Sequence, residues 1–118
     1  MPVPGPGAQP TAAVIPALTP TVAPLPADLI ATFNTLWQVQ NWPEAIRAVE
    51  AALGTYPNHP DLTLRLYAAH VNYGLWLQSR NRLEDAIHEF SVALQIKPDG
   101  AEALTALAGL VPTPTPGP

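Results

Sequence analysis

Residues 42–57 read WPEAIRAVEAALGTYP, and residues 83–98 read LEDAIHEFSVALQIKP. Laid one over the other, they place Ala45 on Ala86, Ile46 on Ile87, Val49 on Phe90, Ala52 on Ala93, Leu53 on Leu94 and Pro57 on Pro98, with a constant offset of 41 residues. Self-similarity at a fixed period marks an array of like units, each too small to bury its apolar face alone. Within each copy the apolar residues recur at three- and four-residue steps, which is one face of an α-helix. Glu84 and Asp85 open the second copy and Lys97 closes it, the charge order that the helix dipole favours.

Outward from these two helices the same reasoning supplies three more. Leu29, Phe33, Leu36 and Val39 or Gln40 form one stripe and predict a helix from Ala27 to about Asn41. Pro43 suits a first helical position, and the helix it opens is expected to close at Gly54. Asn58-His59-Pro60-Asp61 is turn chemistry, with Pro60 opening a third helix to about Gln78. The fourth covers 82–96 and ends before Pro98. Asp99 and Glu102 approximate a capping box for a fifth helix over 101–110, which Pro112 terminates. The expectation is an all-α fold of antiparallel helical hairpins.

The second helices carry a small Ala, a bulky residue four later, an Ala three after that and a terminal Pro. This pattern resembles the tetratricopeptide repeat. Ala45, Val49, Ala52 and Pro57 fit it, as do Ala86, Phe90, Ala93 and Pro98; Gly74 falls at the family's close-contact glycine, where the first repeat has Phe33. The alanines suit close helix approach, because a larger side chain there forces the helices apart. The family's repeat is about 34 residues, so a period of 41 lengthens the third helix by about two turns. The resemblance implies a short α-solenoid over residues 27–111, about two repeats and a closing helix.

Composition sets the limits of that domain. Of sixteen prolines, eight precede Ala27 and four follow Val111. Residues 1–26 therefore read as a Pro-rich extended tail and 112–118 as a Pro/Thr-rich linker or tail, both inclined to polyproline II. All fourteen charged residues lie between Asp28 and Glu102, for a net charge of −4, with no basic run to track a phosphate backbone. Nucleic acid is not an expected partner. With no cysteine, disulfides and thiolate metal sites are excluded, and the compartment stays open. Pro16, Pro20 and Pro24 interrupt the apolar stretch that begins at Val14, and no base precedes it, so neither an export signal nor a membrane span is expected. If Met1 is the true start the protein is cytoplasmic; if the chain is a processed fragment, it is extracellular or on the cell surface.

In the family the first helix of each pair lines a concave groove for an extended peptide or partner helix. By that resemblance the groove here holds Leu64, Ala68, Val71 and Leu75 on the third helix, extended by Ile30 and Trp37 and accompanied by Trp76. The opposite stripe of the third helix, Leu66, His70, Tyr73 and Leu77, is expected to pack on its hairpin partner. A helix apolar on nearly all sides needs cover on both. Neighbouring helices account for part of that cover, and a recognition surface for the rest.

The functional expectation is a noncatalytic scaffold for protein–protein interaction and self-assembly, with tails docking on neighbouring subunits. Two and a half repeats fall short of the three that usually stand alone, and stacked copies would supply the neighbour. The alternative is a structural subunit of an extracellular bacterial filament or surface layer, O-glycosylated at Thr113 and Thr115. No HExxH, phosphate-binding or GxSxG motif is present and no cofactor is expected. His88 lies one turn after Glu84, with Asp85 and Glu89 nearby, yet a solvated acidic helix face explains those residues without a metal.

Overall fold

A computed structural model describes residues 24–110 of the chain, and these residues are all-α. The helices are α1 (Ala27–Gln38), α2 (Trp42–Thr55), α3 (Pro60–Ser79), α4 (Leu83–Ile96) and α5 (Ala101–Leu110). No strand occurs among the described residues. The tails over 1–23 and 111–118, with Thr113 and Thr115, lie outside them.

The 41-residue offset is written into the backbone as well as the side chains. The α1–α2 turn closes with Asn41 N–H on Leu36 C=O at 3.0 Å and Gln40 N–H on Trp37 C=O at 3.1 Å. The α3–α4 turn closes with Arg82 N–H on Leu77 C=O at 2.9 Å and Asn81 N–H on Gln78 C=O at 2.9 Å. Each pair is a Schellman motif, and each puts its C′ residue in the left-handed region, Gln40 at φ 57° and Asn81 at φ 61°. The equivalence continues through Ala45 on Asn41 and Ala86 on Arg82, then Tyr56 on Ala52 and Lys97 on Ala93, and finally Thr63 on His59 and Leu104 on Gly100. By this register α5 begins where α3 begins, one period later.

Consecutive helices pack as antiparallel neighbours, most extensively α3 with α4. Ala45, Val49 and Ala52 on α2 are buried, as are Ala86, Phe90 and Ala93 on α4. One core cluster joins Phe33, Val49, Ala52 and Leu62; the other joins Tyr67, Val71, Leu77, Ala86, Phe90, Ala93 and Ala103. Gly74 is what lets α3 approach α4 so closely, since it faces the Phe90 ring directly. At the other end α1 and α3 bring no two Cα atoms within 8 Å, although α3 and α5 do. Side chains fill that space, with the Arg65 guanidinium 5.3 Å from the Phe33 ring centre and 6.0 Å from that of Trp37.

Several boundaries differ from the expectations above for local reasons. Helix α2 runs through Gly54 to Thr55, and the left-handed residue after it is Asn58 at φ 60°. Helix α1 stops at Gln38, because the Schellman turn uses Val39 to Asn41. For α5 the residue before the first turn is Gly100, not Asp99, and the Glu102 carboxylate is engaged by its own backbone N–H and by Tyr67.

Candidate protein-binding face and aromatic cleft

Pro60 starts α3 and the His59 ring caps it, Nδ1 accepting the Asp61 N–H at 3.2 Å. Through Ser79 the helix then carries apolar residues on nearly all sides, and the structure divides them among three surroundings. Leu62, Tyr67, Val71, Gly74 and Leu77 are buried against the flanking helices. Leu64 and Leu75 are left 55% and 46% exposed. Ala68 and Trp76 are half-buried, and so are Ile30 and Trp37 on α1.

The expected groove residues are therefore only partly together. Leu64 shares a shallow depression with Ile30, Asp61 and Arg65. Leu75 lines a different one with Gln78, Ala101, Thr105 and Gly109. Val71 does not line an open face: α5 packs beside α3 and closes the core over it, so it joins Tyr67, Phe90 and Ala103. Of the opposite stripe, Leu66 packs on the first cluster, while Leu77 is buried in the second and Tyr73 packs beside it.

His70 was expected to pack, and its partner is specific. Its Nδ1 lies 2.7 Å from Glu89 Oε1, joining α3 to α4 through two side chains that are both largely buried. A second polar pin holds α5. The Tyr67 hydroxyl donates to Glu102 Oε1 at 2.8 Å and accepts the Ala103 N–H at 3.3 Å, while Lys97 Nζ sits 5.4 Å from the ring centre. Burial, then the Glu102 hydrogen bond, holds the Tyr67 phenol above its usual value. The Glu102 carboxylate is held below its usual range, first by its own backbone N–H and then by Tyr67.

A concavity lies where the α1–α2 turn meets the end of α3. It is a cleft of about 680 Å³ lined by Trp42, Pro43, Tyr73, Trp76, Arg80 and Arg82, with the 39–41 turn at its edge. Trp42 stacks edge-on to Trp37 with ring centres 5.3 Å apart, and Tyr73 lies 6.1 Å from Trp76. The Arg80 guanidinium stands 4.4 Å over Trp76, whereas Arg82 is tied to Asp85 at 2.6 Å. Such a cleft offers flat apolar faces with a few directed donors, the usual make-up of a ligand site. Sequence reasoning named Trp37 and Trp76 but not Trp42, Tyr73 or Arg80 as lining a site. The signal it could have used is that Trp37 and Trp42 flank the turn equivalent to Leu77–Arg82.

Glu89 is turned toward His70, and no group of three or more His, Asp or Glu among the described residues is arranged to hold a metal. No described helix is long and apolar enough to cross a membrane. Comparison with protein-family models, with curated proteins and with solved structures found no match for this chain.

Proposed function

We propose that the chain is a noncatalytic scaffold that binds protein, copies of itself included, through its first-helix face and the open ends of its helical array. The observation that carries this reading is the exposure of Leu64 at 55% and Leu75 at 46% on α3, the helix at the centre of the fold. A leucine on the outermost helix, Leu104 at 47%, extends the apolar surface to the end of the array. Scattered exposed leucines are ordinary. Here, however, they sit on an array of five helices among the described residues, and stacking is how short arrays complete their burial. A head-to-tail contact between unlike ends propagates unless it closes into a ring.

Size exclusion with light scattering on the full chain tests the self-association. The expected result is a mass that rises above the 12.5 kDa monomer with concentration, and falls back in Leu75→Glu and Leu104→Glu chains. A monomer mass at every concentration would contradict it.

A further inference from the structure

Trp42, Tyr73 and Trp76 line the cleft between the α1–α2 turn and the end of α3, and Trp37 stacks behind Trp42. We infer that this cleft docks an uncharged proline-rich segment in polyproline II form, and that its occupant is the chain's own residues 111–118, VPTPTPGP. The inference deepens the protein-binding reading and rests on it.

The chemistry of the cleft fits that ligand class. A polyproline II segment makes no internal hydrogen bonds, so its carbonyls are free to accept, while its rings pack on flat aromatic faces. Trp42 is only 7% exposed, lines the cleft, and its indole N–H has no acceptor among the described residues. A ligand carbonyl in the cleft would give this N–H an acceptor. Arg80 lines the cleft, forms no ion pair among the described residues and holds its guanidinium over Trp76. A segment without charged side chains needs donors of this kind and no acidic or basic counterpart.

Position selects the C-terminal segment. Helix α5 ends beside the last turns of α3, where Gly109 shares a depression with Leu75 and Gln78 and Leu110 packs on the cluster containing Leu77. The chain therefore leaves α5 beside Leu75 and Gln78, close in sequence to Trp76 and Arg80 at the end of α3. Eight residues in polyproline II form span about 25 Å, enough to round a helix about 10 Å across. The proline-rich residues before Pro24 join α1 at its start, about 15 Å along the helix from Trp37, so a longer loop would have to close to bring them to the cleft, and the shorter tether favours the C-terminal segment.

The test uses the full chain and a full-length variant carrying Pro112→Gly, Pro114→Gly and Pro116→Gly. Tryptophan emission should shift to the red in the variant, by an amount that does not change on dilution. A labelled VPTPTPGP peptide, followed by anisotropy, should bind the variant at least about tenfold more tightly than the wild-type chain, whose own segment competes at millimolar effective concentration. A peptide with glycine in place of Pro112, Pro114 and Pro116 should not bind. Adding Arg80→Ala to the variant should abolish peptide binding while far-ultraviolet circular dichroism and melting stay unchanged. Identical emission with no proline-dependent binding would overturn the inference, as would equal binding after Arg80→Ala. A red shift that vanishes on dilution would overturn docking within one chain. None of these readouts depends on the light-scattering mass, so failure here and failure of self-association are separately legible.

Discussion

A Cβ built on Gly74 of α3 would stand 2.6 Å from Cε1 of Phe90 on α4, a ring with no exposed surface. The two residues set how closely the central helices approach, and the repeat's tightest interface depends on the missing methyl group. Gly74→Ala gains about 1 kcal/mol of helix propensity but forces a buried aromatic to move, which costs about 1–3 kcal/mol. We expect a net loss of about 1 kcal/mol in urea unfolding. Gly54→Ala is the control, because nothing lies within 4 Å of its added Cβ. That change should stabilise by about 0.5–1 kcal/mol. The same substitution thus carries opposite signs on α3 and α2.

The paired turns make a second prediction. Gln40 and Asn81 occupy the same left-handed C′ position, but only Asn tolerates it easily. Gln40→Gly should therefore raise stability by about 0.5–1 kcal/mol, while Asn81→Gln should lower it by a smaller amount. Thermal melting of both variants reads the effect, and equal melting temperatures would mean that the turns are not equivalent.

Stability against acid should depend on Glu102. Its carboxylate is held below the ordinary value of 4.5 in the folded chain, through its own N–H and the Tyr67 hydroxyl. A depressed pKa contributes stability above the unfolded value and loses it as pH falls through the folded one. Glu102→Gln should lower stability at neutral pH, where the carboxylate's contribution is fully present, and flatten the stability curve on the acid side of pH 4.5. Tyr67 has the opposite sign: its raised phenol pKa contributes stability below the ordinary 10.0 that is lost as pH climbs through the folded value. Tyr67→Phe should therefore flatten the alkaline limb, as chemical denaturation at stepped pH would measure.

What was legible in the chain follows from how local each signal is. Helix α5 was placed at its observed bounds, Ala101–Leu110, from Asp99 with Glu102 before it and Pro112 after it, all local signals, although Gly100 and not Asp99 precedes the first turn. The left-handed Gln40 was not, since glutamine carries no such preference and only its alignment with Asn81 points to it. Val71 lay on a plausible open stripe of α3 until α5 covered it, and that burial depends on a helix thirty residues away. The aromatic cleft was harder still, because Trp42 and Trp76 meet only through the stacking of two hairpins. His70 could be read as a packed histidine, yet its partner Glu89 comes from the next helix of the hairpin.

The fold depends on helix crossings at Ala45 and Ala86, both fully buried and one period apart, that admit only a methyl group. Urea unfolding of Ala45→Leu and Ala86→Leu, beside Ala51→Leu on the exposed side of α2, tests this most directly. Overpacking should cost each buried variant about 1–3 kcal/mol, with Ala51→Leu within about 0.5 kcal/mol of the parent chain. If all three variants unfolded alike, the helices would not meet at these alanines, and the repeat reading would fail with them.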